Sequence, residues 1–157
     1  MKRNQIFELL TSPCTPYLIV ELIYLIISII FNLKLRHLNE LLNQTFDINK
    51  MVLQKDVMIA GEVMTLDNNV SVNFLIGGIV LIIIAFIIPI VSSIINKSSY
   101  KEDEVKVMIW LVICLMVVIN IIIIMLISKA LFSPIIITTL ILCTVGSIFA
   151  MGGASQS

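Results

Sequence analysis

An acidic residue within an apolar stretch is the feature of this sequence best suited to chemistry. Glu21 interrupts the apolar run 17–33, and the other long apolar runs contain no charge. A carboxyl group inside a membrane span is energetically costly and is a candidate proton or cation site. With no second buried charge to pair with, an ion relay has little support. The structural alternative is a contact with lipid headgroups or with a packed polar neighbour.

Other polar residues share helical spacing with Glu21 or interrupt apolar runs. Ser28 and Asn32 follow Glu21 by seven and eleven residues, which places the three on roughly one helix face that could line an oligomeric pore. Asn120 lies among isoleucines and is predicted to hydrogen-bond to a neighbouring helix. Pro89 is predicted to kink its helix and to free a backbone carbonyl.

The familiar patterns of catalytic and metal sites are missing from the sequence. Cys14, Cys114 and Cys143 are dispersed with no CxxC pair, and His37 is the single histidine. These features disfavour metal, haem and thiol redox sites. Nucleotide-binding glycine loops, HExxH and GxSxG are also missing. The sequence predicts no cofactor, no metal and no enzymatic activity.

The composition excludes several classes of protein. Of 157 residues, 59% are hydrophobic and 13% are charged, against about 45–50% and about 25% in soluble domains. So little polar surface could not cover a soluble globule, and disorder is excluded for the same reason. Ten basic residues are balanced by ten acidic ones, which argues against direct nucleic-acid binding. An integral membrane protein remains.

The uncharged runs predict an all-α transmembrane bundle of four helices, because a spanning helix needs about 20 apolar residues. We expect a single membrane domain over 1–157, with spans at 14–33, 74–95, 107–128 and 134–151. Segment 34–73 is expected to form a small extramembrane loop domain, and 96–106 a short charged loop.

Two structures are expected within segment 34–73. Leu35, Leu38 and Leu42 have helical spacing and predict that the first helix extends beyond the bilayer. Residues 57–72 are rich in β-branched side chains, and Asp67-Asn68-Asn69 is a turn signal. This second half is interpreted as a small β-hairpin.

The two remaining loops carry helix-start signals. Ser99 and Glu102 fit a capping box for the third helix, and the charged loop is a candidate partner-contact surface. Its residues are Ser99, Lys101, Glu102, Asp103 and Glu104. Ser133-Pro134 resembles an N-cap followed by proline at the first helical position. That signal predicts a tight antiparallel hairpin between spans three and four.

Small residues follow one face of the fourth span. They are Cys143, Gly146, Ser147, Ala150 and Ala154. Small residues at helical spacing let two backbones approach closely. The pattern predicts tight packing within the bundle or between subunits of a homo-oligomer.

Basic residues favour a cytoplasmic N-terminus and C-terminus. Five would lie on each side of the membrane, but the Lys2-Arg3 pair and the lysines of loop 96–106 favour this orientation. Lys2 and Arg3 would also suit a signal peptide. Since Glu21 interrupts the apolar stretch and no small-residue cleavage pattern follows, we expect the first helix to be retained.

In span count, size and composition the chain resembles the four-helix membrane component of Kiwa-type phage-defence systems. It is similar in general plan to immunity proteins for pore-forming bacteriocins. The resemblance implies a membrane sensor, anchor or immunity component of a bacterial inner membrane, in contact with lipid and with a soluble cytoplasmic partner. The alternatives are an oligomeric pore, including a holin-like protein, or an accessory subunit of a larger membrane complex.

Overall fold

The regular structure of the described residues is helical throughout. The computed structural model describes residues 12, 14–98 and 103–154, with side chains at all of these positions except 133 and 148–154. The elements are α1 (Thr15–Thr45), α2 (Ile48–Gln54), α3 (Val57–Ser98), α4 (Asp103–Leu131), a π-helix (Phe132–Ile136) and α5 (Ile137–Ala154). Lys2 and Arg3, which bear on the signal-peptide question, lie outside this description, as do Ser99, Lys101 and Glu102.

Three helices, α1, α3 and α4, are long and apolar enough to cross a membrane. In their most apolar windows only 22–28% of the residues are buried, so most of their apolar side chains face outward. Lipid accommodates such a surface, whereas water does not. A shorter apolar helical stretch covers Pro134–Ser147.

Contacts divide the chain into two compact units. The first contains the described residues up to Phe31 together with Val80–Met125. The second contains Asn32–Ile79 and the described residues from Leu126 onward. Helices α1, α3 and α4 each contribute residues to both units.

The buried face of α1 changes character along the helix. Glu21, Tyr24 and Ser28 are buried in its first half, and Leu35 and Leu42 in its second half. The alternating spacing of three and four residues is that of a helix packed by knobs into holes. In the first half the exposed residues are mostly isoleucine, leucine and valine. This part of α1 is polar inside and apolar outside.

Small residues recur every seven positions on α3. They are Ser71, Gly78, Ala85 and Ser92, and all four are buried. At Gly78, an added Cβ would collide with the side chain of Leu131 on α4 and lie 3.5 Å from Ile127 Cγ2. Because small residues shorten the distance between helix axes, this stripe lets α4 pack directly against the backbone of α3 at Gly78.

The segment 57–72 is helical, so the predicted β-hairpin is wrong. Helix α3 begins at Val57 and breaks at Leu66, after which Asp67, Asn68 and Asn69 have φ values of 43°, 60° and 64°. The turn signal was correct, but the turn joins two helical arms. Ala60 and Val63 are fully buried at helical spacing, and this buried helix face outweighs the strand preference of β-branched residues.

A side-chain hydrogen bond joins the two arms of α3. Ser71 Oγ donates to the carbonyl of Val63 at 2.8 Å, and both residues are fully buried. Asn and Asp tolerate the left-handed conformation better than other non-glycine residues. The run Asp67-Asn68-Asn69 therefore permits the turn, and Ser71 fixes its closure.

The predicted extension of the first helix is confirmed, because α1 continues to Thr45.

The predicted tight turn at Ser133-Pro134 is also wrong. Leu131 and Ile137 keep right-handed helical dihedral angles, and the π-helix Phe132–Ile136 joins α4 to α5. Proline in a helix has no N–H to donate, and its ring clashes with the carbonyl four residues earlier. The wider π-helical turn accommodates Pro134 without ending the helical path.

Candidate functional site

Three polar side chains of α1 are buried in the first unit. Glu21, Tyr24 and Ser28 are 2%, 4% and 1% exposed. Tyr24 lies between Glu21 and Ser28 on the buried face of α1. The sequence pattern indicated Glu21 and Ser28 but not Tyr24. The signal for Tyr24 was its position three residues after Glu21 and four before Ser28, on the same helix face.

Asn120 on α4 connects this polar group to α3. It is 2% exposed and lies beside the Glu21 carboxyl group, with which it interacts. Its Nδ2 donates to the backbone carbonyl of Ala85 at 3.0 Å. Asn120 therefore contacts both neighbouring helices, as a hydrogen-bonding residue in a membrane bundle is expected to do.

The carbonyl of Ala85 needs this donor because of Pro89. In an α-helix the Ala85 carbonyl would accept from the N–H of residue 89, and proline has none. Pro89 lies inside α3, and the backbone around it keeps helical dihedral angles. The freed carbonyl predicted from the sequence is thus Ala85 O, and its partner is the Asn120 side chain.

Oxygen atoms remain unpaired around this bond. Glu21 Oε1 and Oε2, Tyr24 OH, Ser28 Oγ and Asn120 Oδ1 are buried without a hydrogen bond of good geometry to a described residue. The interaction of Asn120 with Glu21 is therefore loose. Burying a polar group in an apolar interior without a hydrogen bond lowers the stability of the fold by roughly several kcal/mol. The arrangement can take up a proton or a small cation, or rearrange its hydrogen bonds.

An apolar cavity of about 240 Å³ lies next to Asn120. Its lining includes Ala85, Pro89, Val117 and Ile121. The space beside Pro89 leaves room for α3 to move against α4 in this unit.

A second bond of the same kind lies within the second unit. Asn39 Nδ2 on α1 donates to the carbonyl of Ala130 at 2.6 Å. Ala130 precedes Pro134 by four residues, so its carbonyl also lacks the usual helical N–H donor. We call the two arrangements proline clamps: Asn120–Ala85–Pro89 and Asn39–Ala130–Pro134. Asn39 was not among the residues that the sequence pattern indicated. A polar residue within the leucine-lined face of α1 was the available signal.

The remaining predicted site residues lie apart from this cluster. Asn32 is half-buried on α1 in the second unit. Cys143, Gly146 and Ser147 are exposed, whereas Ala150 and Ala154 have no described side chains. An added Cβ at Gly146 would meet nothing within 4 Å, so close packing at Gly146 stays a prediction for contacts between subunits.

Of the charged loop predicted at 96–106, residues 96–98 belong to α3 and residues 103–106 begin α4. Asp103 and Glu104 are exposed in the first turn of α4, and Asp103 lies 4.0 Å from Lys106. Ser99, Lys101 and Glu102 lie outside the described residues.

Within the described part of the chain, no three His, Cys, Asp or Glu side chains are grouped so that they could hold a metal ion. No family model, curated protein or solved structure matches this chain. Inference about function therefore depends on the geometry of its own residues.

Proposed function

We propose that this protein is a non-catalytic, oligomeric membrane sensor, anchor or immunity component, as in bacterial phage-defence or bacteriocin-immunity systems. In this proposal α1, α3 and α4 cross the inner membrane and the N-terminus is cytoplasmic, while the predicted fourth span, 134–151, continues from α4 through the π-helix. The loop after α3 and the exposed Asp103 and Glu104 contact a soluble partner. Segment 34–73 forms the extramembrane part on the other side.

The observation that carries the proposal is the burial of the polar face of α1. A pore needs a polar lining, and Glu21, Ser28 and Asn32 were the lining residues available. Glu21 and Ser28 are only 2% and 1% exposed, whereas the residues around them on the outer surface are apolar. Buried polar groups hold helices in a defined arrangement, which suits a sensor or anchor better than a channel between subunits.

The clamp Asn120–Ala85–Pro89 supplies the two-state element that a sensor requires. A stimulus can shift a protein between states only by interacting differently with each of them. Loss of the Asn120 bond to Ala85 leaves α3 free to bend at Pro89, and the adjacent cavity of about 240 Å³ gives it space. The unpaired oxygen atoms around Glu21 offer Asn120 an alternative partner.

Purification of the tagged protein in mild detergent tests this proposal, with mass and bound partners measured together. We expect a homo-oligomer that carries a soluble partner and gives no conductance in planar bilayers. The Pro89→Ala variant should express normally, keep the oligomer and change the amount of partner bound. Conductance that Glu21→Gln alters would overturn the proposal in favour of a pore.

Cysteine accessibility tests the orientation. Single cysteines are placed at Lys50 and at Lys101 in a background without Cys14, Cys114 and Cys143. A membrane-impermeant maleimide should label position 50 in intact cells and position 101 only after permeabilisation. The reverse pattern would place the N-terminus outside.

A further inference from the structure

A cavity of about 530 Å³ lies within the second unit, apart from the polar cluster around Glu21. Three charged or titratable residues line it: Lys34, His37 and Asp67. The remaining lining residues are apolar: Leu33, Leu38, Leu41, Leu66, Val70 and Phe74. Its volume is in the range of small-molecule sites, about 300–1,000 Å³.

The cavity lies where the apolar stretches meet charged sequence. Lys34 is the first charged residue of α1 after Glu21, and it follows the uncharged segment 22–33. Phe74 begins the second uncharged run, 74–95, a few residues after Asp67. Charged residues that flank apolar runs of this length are found at the membrane–water interface. A ligand in this cavity is therefore placed at the level of lipid headgroups.

The charged lining residues are available to a ligand. Lys34, His37 and Asp67 are all exposed. Within the described ranges, the ion pair is that of Lys106 with Asp103, so none of these three residues takes part in one. Asp67 is held by the left-handed turn, at φ 43° and ψ 60°. A non-glycine residue in this conformation is uncommon and marks either a fixed turn or a functional position.

We propose that this cavity binds the headgroup of a phospholipid that carries both a phosphate and a primary ammonium group. Lys34 and His37 contact the phosphate, and Asp67 accepts hydrogen bonds from the ammonium group. Leu33, Leu41 and Phe74 contact the first part of the acyl chains. The proposal does not depend on the sensor function, because it requires only that the helices lie in a membrane.

The chemistry of the cavity distinguishes phosphatidylethanolamine from the other common phospholipids. Phosphatidylglycerol has the phosphate but no cation for Asp67, whose carboxylate repels the negative lipid. Phosphatidylcholine has a cation without N–H groups, so it cannot donate a hydrogen bond to Asp67. The ethanolamine headgroup alone among these three matches the phosphate-binding and the ammonium-binding residues.

Native mass spectrometry of the detergent-solubilised full chain tests the proposal. The probes are phosphatidylethanolamine, phosphatidylglycerol and phosphatidylcholine of identical acyl chains, added in equal amounts. We expect phosphatidylethanolamine to bind about threefold more tightly than phosphatidylcholine, as the one hydrogen bond that phosphatidylcholine cannot donate can achieve. Asp67→Asn should reduce this preference, because a neutral amide oxygen accepts a weaker hydrogen bond than a carboxylate does. It should preserve the turn, since Asn tolerates the left-handed conformation.

Matched variants separate the cavity from general surface charge. Lys34→Gln should weaken the binding of all three lipids, whereas Lys50→Gln and Glu62→Gln remove exposed charges outside the cavity and should change nothing. Unaltered fluorescence of Trp110 confirms that each variant is folded. Equal binding of the three lipids, preference for phosphatidylglycerol, or an Asp67→Asn variant that keeps the wild-type preference would each overturn the proposal.

Discussion

Asn120 on α4 donates its side-chain amide to the carbonyl of Ala85 on α3, at 3.0 Å. That carbonyl is the one that Pro89 leaves without a helical donor. The same relationship recurs in the second unit between Asn39 and Ala130, four residues before Pro134. At each of these two prolines another helix supplies the missing hydrogen bond. The prolines thereby become points of contact between helices.

A double-mutant cycle on the first clamp measures this relationship. Asn120→Ala is expected to lower the free energy of unfolding by about 1 kcal/mol, the size of hydrogen bonds between membrane helices. In a Pro89→Ala background its effect should be smaller by about 0.5–1 kcal/mol, because a backbone N–H at position 89 can donate to Ala85. Unfolding in mixed detergent and SDS micelles, followed by the fluorescence of the single tryptophan, Trp110, gives these values.

The loss of unfolding free energy that Asn120→Ala still causes in the Pro89→Ala background reports on the contact between Asn120 and Glu21. Glu21→Gln should preserve the fold, since a neutral amide can still hydrogen-bond to Asn120. If Asn120→Ala had the same effect in both backgrounds, the bond to Ala85 would be unimportant for stability.

The second clamp is tested by a pair of asparagines on one helix. Asn39 is half-buried and bonded to Ala130, whereas Asn43, one turn later, is exposed. We expect Asn39→Ala to lower the free energy of unfolding by about 1 kcal/mol. Asn43→Ala should change it by less than about 0.5 kcal/mol. Equal effects of the two substitutions, in the same micelle assay, would show that the bond to Ala130 adds nothing.

The sequence was sufficient to predict some of these features. Uncharged run lengths predicted the long apolar helices, and leucine spacing predicted the continuation of α1 past Leu42. Proline chemistry predicted a freed carbonyl near Pro89. These predictions succeed because they depend on local covalent geometry and on helix length.

Features that depend on tertiary contacts were not predictable in the same way. The pairing of Asn39 with Ala130 joins residues 91 positions apart, and no local signal identifies such a partner. The hairpin prediction was wrong because it gave more weight to the β-branched residue types of 57–72 than to the helical spacing of Ala60 and Val63. At Pro134 the sequence indicated a helix start, whereas the helical path continues there through a π-helix, which no local signal marked.

Gly78 is expected to be the glycine least tolerant of substitution among the three at which the space for a side chain is described. Gly78→Ala places a methyl group against Leu131, which is only 2% exposed and has little freedom to move. We expect a loss of about 1–3 kcal/mol in the free energy of unfolding, typical of overpacking. In a Leu131→Val background the loss should be smaller.

Gly61 and Gly146 provide the controls for Gly78, because an added Cβ at either position meets nothing within 4 Å. Gly61→Ala should stabilise the helix by about 0.5–1 kcal/mol through its effect on backbone entropy. A Gly146→Ala variant that retains its stability but loses its oligomeric state would indicate packing between subunits. Destabilisation by Gly61→Ala equal to that by Gly78→Ala would contradict the assigned contact with Leu131.

The left-handed turn in α3 limits which residues are tolerated at position 68. Asn68 has φ 60° and ψ 43°, a conformation that is unfavourable by about 1–2 kcal/mol for residues with a bulky Cβ. Asn68→Val should therefore lower the free energy of unfolding by about that amount, whereas Asn68→Gly should be neutral or slightly stabilising. Asn43→Val, on an exposed helical position, controls for β-branching alone and should lower it by less than about 0.7 kcal/mol. If glycine and valine at position 68 had equal effects, the segment would not be held in this turn, and the Ser71 bond to Val63 would be lost with it.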